Sequence, residues 1–398
     1  DLMNGKLIIT ELYDKKMSAY FEEGKVKELK FHDKSILGNI YIGRVQNVVA
    51  NIDAAFIEIQ KGLICYYSMK ENKHPIFLNK KNNNKVNIGD LMLVQVSKDD
   101  IKTKAPTVTC EINLAGKYAV LTYGKSHIGI SNKIKNEHWK KVFRNLCEPF
   151  IIDNIGYIIR TNAGSVPAEI VVEEIQKLKE QFDAIMKKAE YLSAFSCIYT
   201  EGESYIAAIR DMYANLSYEI ITDKEDIYTN IKEYLTDKEP DRLDTLRMYD
   251  DKMLPLIKLY SLEKCVTDAL RKNVWLKSGA YLVIEPTEAL TVIDVNTGKY
   301  SGKKNSSETY LKINIEAAKE ACAQIRLRNI SGIIIIDFID MESESDRHKL
   351  MDELKLLAGK DPVKTTVVDM TSLNLVEMTR KKVRKPLYEQ ISLPKSDN

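Results

Sequence analysis

Two aspartates, each at the end of an apolar run, first suggest a chemical function for this sequence. Residues 289–298 read ALTVIDVNTG and residues 331–340 read SGIIIIDFID, so Asp294 and Asp337 each follow a β-branched run. Such runs predict buried strands, in which a carboxylate is costly unless a partner or a function accounts for it. Asn296 follows Asp294 by two residues and should share its face of the strand.

The segment between the two aspartates predicts how they are brought together. Asn305 and Glu308 could cap a helix, and one apolar stripe at helical spacing follows: Leu311, Ile315, Ala318, Cys322 and Ile325. Strand, helix and strand form a βαβ unit, so the strands should be parallel neighbours with both aspartates at one edge of the sheet. That edge is where open α/β sheets bind ligands.

Two carboxylates at one sheet edge repel each other unless a cation lies between them. At about 4 Å and an effective dielectric constant of about 20, the repulsion is roughly 4 kcal/mol. Mg²⁺ prefers oxygen ligands and keeps several waters, so the pair predicts a magnesium site with the Asn296 amide near a metal water or a substrate oxygen. Aspartates that end strands are also common turn formers and caps, and these stretches alone favour neither interpretation.

The loop after Asp294 resembles a nucleotide-binding motif without having its spacing. GKYSGKK at 298–304, with IIIID as a Walker B partner, would have to fit G-x-x-x-x-G-K-[ST]. Only three residues separate the glycines, and Lys304 stands where a hydroxyl is required. We therefore do not expect nucleotide hydrolysis.

Composition is typical of a soluble protein with several domains. The 398 residues predict about two to four domains, and a net charge of +2 confines any nucleic-acid surface to a local patch. The six cysteines are scattered singly, which favours reduced thiols over a zinc site or disulfides. Without an export signal or an apolar run near the ~20 residues that span a bilayer, we expect a cytoplasmic protein with no membrane partner.

The rest of the chain divides into segments with different patterns. Residues 1–34 alternate like a strand meander, and 38–114 show the short strands of a small barrel, interrupted by an Asn/Lys-rich loop at 73–90. A long helix should begin near VPAEIVVEEIQKL and end near Leu192, with Ile170, Ile175, Leu178, Phe182 and Ile185 close to helical period.

Three longer stretches closely resemble the catalytic core of the ribonuclease E/G family. They are ALTVIDVNTG, NIEAAKEACAQIRLRNISGIIIIDFIDM and LNLVEMTRKKVRKPL, and weaker similarity extends from GNIYIGRV over nearly the whole chain. The resemblance implies an α+β multidomain fold with these parts: an RNase H-like part (1–35 and 196–268), an inserted OB-fold RNA-binding barrel (36–114), a 5′-sensor region (115–195) and a DNase I-like α/β catalytic part (269–398).

The resemblance also implies an activity and its catalytic residues. Family chemistry is endonucleolytic cleavage of single-stranded, A/U-rich RNA that leaves a 5′-phosphate and a 3′-hydroxyl, in rRNA processing and mRNA decay. Asp294 and Asp337 match the Mg²⁺-binding aspartates (Mn²⁺ being a substitute ion), and Asn296 matches the asparagine that orients them. Asp340 is expected to be structural or to support the site. The alternative is a non-catalytic RNA-binding platform on the same fold.

Further matches imply RNA contacts. Phe56 and Tyr66 match the barrel's aromatic RNA contacts and Lys104 its nearby lysine, although the strand pattern alone favours Phe56 as core. In YIIRTNAGS, Arg160 and Thr161 match the sensor of a 5′-monophosphate, whereas an Arg-Thr pair by itself suggests only a surface salt bridge. Gly129 and Ile130 match the loop beside the sensor, and Lys364 matches a basic residue near it. Candidate phosphate contacts are Lys299, Lys303, Lys304 and the run from Arg380 to Lys385. That last run could equally be a solvated basic face.

One departure from the family pattern concerns zinc. The family usually carries a C-x-x-C element after the RKPL segment, which shares zinc between protomers, and this sequence runs to SLPKSDN without it. Either the element has been removed from this sequence or this member lacks it, so we expect no zinc in this chain, and a homo-oligomer would have to form without those cysteines.

Overall fold

The computed structural model describes residues 5–79, 83–98, 105–152, 154–212, 216–298 and 307–391. The chain divides into two compact units, one formed by 1–32 with 217–398 and the other by 33–216. Several residues named above lie outside the described ranges: Lys104, Lys299, Lys303, Lys304 and Asn305.

The described residues form strands and helices throughout both units. In chain order the strands are β1 (Gly5–Leu12), β2 (Lys15–Glu22), β3 (Lys25–His32), β4 (Ile40–Val49), β5 (Ala54–Gln60), β6 (Leu63–Ser68), β7 (Leu91–Lys98), β8 (Thr107–Thr109), β9 (Asn113–Ala115), β10 (Ala119–Tyr123), β11 (Ile128–Ile130), β12 (Ile155–Ile159), β13 (Cys197–Tyr199), β14 (Tyr218–Thr222), β15 (Leu246–Met248), β16 (Asn273–Trp275), β17 (Tyr281–Pro286), β18 (Leu290–Asn296), β19 (Gly332–Asp337), β20 (Thr365–Met370) and β21 (Leu375–Arg380). The helices are α1 (Glu137–Cys147), α2 (Ala168–Ala189), α3 (Ser204–Asp211), α4 (Glu225–Lys238), α5 (Leu256–Leu259), α6 (Leu262–Leu270), α7 (Ser307–Leu327), α8 (Glu344–Lys360) and α9 (Leu387–Gln390). No helix in these ranges combines the length and the apolar character needed to cross a membrane.

The unit of residues 33–216 contains a closed five-stranded β-barrel. The ring runs β4-β5-β6-β8-β7, and β7 pairs back onto β4, while β13 adds to the outer edge of β4. Side chains that alternate inward form its core, among them Val45, Ile57, Cys65 and Val108. At Gly43 a Cβ would collide with Ile57, so the tightly packed interior requires a glycine there. A closed barrel of five strands is consistent with an OB-like fold.

A second sheet in the same unit packs on a long helix. Its strand order is β11-β12-β10-β9, and α2 covers it with one buried stripe: Val171, Ile175, Leu178, Phe182 and Ile185. The predicted stripe is thus correct at four positions and wrong at Ile170, which is exposed while its neighbour Val171 is buried. The helix ends at Ala189, a few residues before the predicted Leu192.

The other unit contains two sheets. β1, β2 and β3 form the predicted antiparallel meander, and β14 and β15 extend it in the order β15-β14-β1-β2-β3. The chain therefore returns to this sheet after the inserted residues 33–216, since β14 runs parallel to β1. The whole chain is a mixed α/β fold with a closed barrel.

The six-stranded sheet holds the two aspartates of interest. Its order is β16-β17-β18-β19-β21-β20, with β18 and β19 parallel neighbours joined through α7, as predicted. One face packs on α7 and α8 through buried side chains such as Ile293, Ile336 and Leu350. On α7 the most buried apolar positions are Ile313, Ala317, Ala318, Ala321 and Ile325. The predicted stripe was displaced, because Leu311, Ile315 and Cys322 are only partly buried.

Candidate active site

The carboxylates of Asp294 and Asp337 lie side by side at the end of two parallel strands. The register pairs Asp294 on β18 directly with Asp337 on β19, so both side chains project from the same face. Neighbouring strands are about 4.8 Å apart, which brings the two carboxylates within strong electrostatic range. Burial alternates along β18, with Ile293 and Val295 buried and Asp294 half-buried, so the aspartates occupy the face opposite α7 and α8.

Asn296 fixes the orientation of the first carboxylate. Its Nδ2 donates a hydrogen bond of 2.8 Å to Asp294 Oδ2. The two residues are i and i+2 on one strand, so the pleat itself places the amide beside the carboxylate. The shared strand face is what the spacing of Asp294 and Asn296 predicted, and the hydrogen bond agrees with the orienting role that the resemblance implied.

A third acid contributes to the charge at this sheet edge. Partial burial, the Asp294 carboxylate and the Asp340 carboxylate together raise the pKa of Asp337 above its ordinary value. Asp340 Oδ1 itself accepts a hydrogen bond of 3.3 Å from Asn374 Nδ2. Asp340 thus raises the pKa of Asp337 through its charge. Its position three residues after Asp337 in the sequence did not predict this effect.

The donor set suits a divalent cation that keeps part of its water shell. Carboxylate and amide oxygens are hard ligands of the kind Mg²⁺ binds, and a cation would relieve the repulsion that raises the pKa of Asp337. In the part of the chain that the structure describes, no three His, Cys, Asp or Glu side chains converge to hold a metal by themselves. Mg²⁺ is commonly bound through one or two carboxylates with several waters kept, so Asp294 and Asp337 could serve as its protein ligands.

Two aromatic rings form a pair on the outside of the barrel. Phe56 on β5 and Tyr66 on β6 are cross-strand partners, and their ring centroids lie 6.2 Å apart at 75°. Both are half-exposed, while the alternate residues Ile57 and Tyr67 fill the barrel core. The pattern-based expectation that Phe56 is core is therefore wrong, and its ring can meet a ligand.

The predicted sensor residues of residues 115–195 come together through a parallel strand pair. β11 pairs with β12 so that Gly129 lies beside Ile158 and Ile130 beside Ile159, next to Arg160. Thr161 begins a 3₁₀ turn, and its Oγ1 lies 2.8 Å from Ser131 Oγ. Lys364 lies in the other compact unit, immediately before β20, where its carbonyl accepts from the Lys381 N–H.

Arg160 forms the salt bridge that an Arg-Thr pair by itself suggested, within an ionic network whose partners the sequence did not reveal. Its Nη1 donates to Gly116 O at 2.6 Å and to Asp211 Oδ1 at 2.9 Å. Arg210 also donates to Asp211, at 3.0 Å, and to Glu201 at 2.6 Å. Burial alone would raise the pKa of Asp211, but Arg210 and Arg160 lower it overall. Asp211 therefore holds Arg160 in place, and only its adjacency to Arg210 in the sequence hinted at an ion pair.

Glu174 on α2 fixes the loop that carries the Gly116 carbonyl. Its carboxylate accepts three backbone hydrogen bonds, from Lys117 (2.8 Å), Tyr118 (2.7 Å) and Ala119 (2.8 Å). A Cβ at Gly116 would lie 2.5 Å from the Glu174 carboxyl carbon, so the close approach requires a glycine. The helix thereby positions one of the two acceptors that hold Arg160.

The first residue of the basic run is structural. Arg380 is only 4% exposed and forms a two-pronged ion pair with Asp361, with Nε–Oδ2 at 2.8 Å and Nη2–Oδ1 at 3.2 Å. Its Nη1 donates to Asn329 Oδ1 and Ile330 O. The prediction of a phosphate contact is wrong for Arg380, because its charge is neutralised inside the protein. Lys381, Lys382 and Lys385 are exposed.

Exposed aromatic rings on a barrel suit the binding of single-stranded nucleic acid, and paired carboxylates at a sheet edge suit metal-assisted hydrolysis. The chain belongs to the ribonuclease E/G family, whose profile matches residues 113–383. It is accordingly an endoribonuclease by family, a hydrolase with a role in RNA processing and RNA as its substrate. The family also implies a divalent metal cofactor in general.

Individual relatives are similar over most of this chain. Ribonuclease G of Haemophilus influenzae is 34% identical over 382 residues, covering 93% of this chain and 78% of that protein. Ribonuclease G of Escherichia coli K12 is 31% identical over 398 residues, covering 97% and 81%. Ribonuclease E of Synechocystis is 33% identical over 402 residues, covering 98% of this chain but 59% of the relative.

Proposed function

We propose that the chain is a Mg²⁺-dependent endoribonuclease that cleaves single-stranded, A/U-rich RNA and leaves a 5′-phosphate and a 3′-hydroxyl. The observation that carries the proposal is the direct pairing of Asp294 with Asp337 and the 2.8 Å hydrogen bond from Asn296 to Asp294. We assign the RNase H-like part, the RNA-binding barrel, the 5′-sensor region and the DNase I-like part to the ranges given above. The proposed setting is rRNA processing and mRNA decay in the cytoplasm.

The catalytic roles follow from the positions of three side chains. Asp294 and Asp337 would hold the divalent ion, and Asn296 would keep the Asp294 carboxylate oriented through its hydrogen bond. When bound, such an ion supplies a hydroxide at neutral pH and neutralises charge on the scissile phosphate. Because both carboxylates are on well-packed strands, they are positioned before the substrate arrives.

Substitution of either aspartate tests the catalytic assignment. Asp294→Ala or Asp337→Ala should abolish cleavage of a labelled A/U-rich oligoribonucleotide, while binding in EDTA persists. Asp352→Asn, at an exposed position on α8, serves as the matched control and should cleave normally. Full activity in either alanine variant would remove the pair from catalysis. Binding by the wild type without any cleavage in Mg²⁺ would favour the non-catalytic RNA-binding platform instead, and DNA of equal sequence tests the choice of nucleic acid.

We further propose that Arg160 and Thr161 bind a 5′-monophosphate. Among the described residues, both hydrogen bonds of the Arg160 guanidinium use Nη1, and its side chain is 26% exposed. A phosphate could therefore approach the opposite edge of the fork while Asp211 holds the side chain. Arg160→Ala should erase the advantage of a 5′-phosphate over a 5′-hydroxyl end in cleavage rate. An unchanged ratio of the two rates would exclude Arg160 from the pocket.

A further inference from the structure

The face of the sheet that carries the aspartates continues into two aromatic side chains. Asn296 on β18 is the register partner of Tyr281 on β17, and Tyr281 is the partner of Trp275 on β16. Register partners project from one face, so Trp275, Tyr281 and Asn296 form a row next to Asp294. Two strand spacings, about 10 Å, separate Trp275 from Asn296.

The outer ring of this row is unusually exposed for its size. Trp275 lies on the edge strand and is 62% exposed, although burying a tryptophan is strongly favourable. Its ring centroid is 4.9 Å from that of Tyr281, with the ring planes tilted by 45°. Gly298 has φ 56°, and a Cβ there would lie 3.1 Å from Tyr281 Cδ1, so the chain after β18 packs against this ring. The two rings thus form a defined aromatic pair, and the exposed Trp275 ring can contact a ligand.

A positively charged cleft begins at the same tryptophan. It has a volume of about 770 Å³ and lies within the unit of residues 1–32 and 217–398. Gln324 and Leu327 of α7 also line it, so it extends from Trp275 around the edge strand β16 towards the face that α7 covers. Its charged lining side chains are four cations and one acid: Lys6, Lys25, Lys264, Arg271 and Asp268. Asp268 is paired with Arg271 at 3.0 Å, so the lysines give the cleft a net positive charge. Lys25 and Lys264 make no ion pair with any residue that the structure describes.

We infer that Trp275 and Tyr281 form a stacking subsite for a base of single-stranded RNA adjacent to the scissile bond, with the cleft holding the phosphates beyond it. An exposed ring beside a basic groove is the combination that binds single strands, because a base stacks on the ring and cations follow the backbone. A folded protein partner would not require a net positive cleft leading away from paired carboxylates. The inference rests on the proposed function, since it places the substrate strand across Asp294 and Asp337.

Intrinsic fluorescence tests the stacking contact without cleavage. The sequence has two tryptophans, so on a Trp139→Phe background Trp275 is the sole reporter. In EDTA, titration with an A/U-rich oligoribonucleotide should quench Trp275 emission in parallel with the fluorescence anisotropy of labelled RNA. Unchanged emission at RNA concentrations that saturate the anisotropy signal would overturn the subsite and leave the nuclease proposal intact. If no RNA bound at all, the proposed function and the subsite would fail together.

Cleavage kinetics then test whether the contact serves the reaction. Trp275→Ala should lower kcat/KM about 5- to 150-fold, the range expected for losing one stacked base, and Trp275→Phe should recover most of it. Tyr191→Ala, at a ring that is 78% exposed elsewhere, is the matched control and should match the wild type. A substrate with one abasic nucleotide next to the cleaved bond should make the wild type as slow as Trp275→Ala and leave the variant unaffected. Equal losses in both proteins at every abasic position, or wild-type cleavage by Trp275→Ala, would overturn the inference.

Discussion

Replacing Asp337 with asparagine should stabilise the protein while abolishing its proposed activity. Asp337 and Asp294 are register partners, and the neighbouring carboxylates of Asp294 and Asp340 help to raise the pKa of Asp337. At about 5 Å, two carboxylates repel by roughly 3 kcal/mol at an effective dielectric constant of 20 and by under 1 kcal/mol in bulk water. Because Asp337 is solvent-exposed, we take the lower part of this range and expect Asp337→Asn to gain about 1 kcal/mol.

Urea denaturation in EDTA measures this gain. The two compact units could unfold separately, so the Trp139→Phe background is used and Trp275 reports the unit that contains Asp337. With a typical urea dependence of about 1–3 kcal/mol per molar, the unfolding midpoint should rise by about 0.3–1 M. In Mg²⁺ the order should reverse or narrow, because the ion stabilises only the protein with both carboxylates.

The pH dependence provides an internal check. The native-state pKa of Asp337 is raised, so its ionisation begins to destabilise the fold above the ordinary value and does so fully above the raised one. The advantage of Asp337→Asn should therefore vanish as the pH falls below the ordinary aspartate value of 3.8, where the carboxyl group is protonated in both states. Asp352→Asn should show no gain at any pH. A destabilised Asp337→Asn protein in EDTA at neutral pH would refute the repulsion on which the metal site is argued.

Three further outcomes are expected. Arg380→Ala removes the buried guanidinium that neutralises Asp361 and should lower the free energy of unfolding by about 3–5 kcal/mol; a loss under 1 kcal/mol would contradict the burial of this pair. Phe56→Ala and Tyr66→Ala should each weaken binding of single-stranded RNA about 5- to 150-fold in an anisotropy titration, and unaltered binding would return the two rings to a structural role. Glu174→Ala removes the acceptor of three backbone N–H groups, so it should lower the free energy of unfolding measured in urea by about 2–4 kcal/mol and reduce the preference for a 5′-phosphate. An undiminished preference for the 5′-phosphate would show that the loop keeps its shape without Glu174.

Local patterns predicted the unit that carries the aspartates. A β-branched run, an apolar helical stripe and a second β-branched run allow few strand topologies. Parallel pairing of the two strands and a shared sheet edge could therefore be predicted from short-range information. The phase of the stripe on α7 was less accurate, since the most buried positions depend on which face α8 and the sheet cover. Alternation along β5 gives two faces but not which one points into the barrel, and for this reason Phe56 was misplaced by pattern alone.

Long-range partners were beyond the reach of sequence patterns. Arg380 belongs to a run of basic residues that resembles a solvated face, and only the fold brings Asp361, 19 positions away, against it. Arg160 and Asp211 are 51 positions apart, so their ion pair depends on how α3 packs near β12. Charged residues of this kind cannot be sorted into surface and interior until their partners are known.

The contrast between compensated and uncompensated acids is the physical reason to place the chemistry at Asp294 and Asp337. Asp361 is neutralised by Arg380, Asp211 by two arginines, and Glu174 by three backbone N–H groups. Asp337 faces the opposite situation, because burial and two neighbouring acids all oppose its ionisation. The one contact described for the Asp294 carboxylate comes from a neutral amide. Within the described residues, these three acids have compensating donors while Asp294 and Asp337 face each other, which leaves a site that a divalent ion and a phosphate can complete.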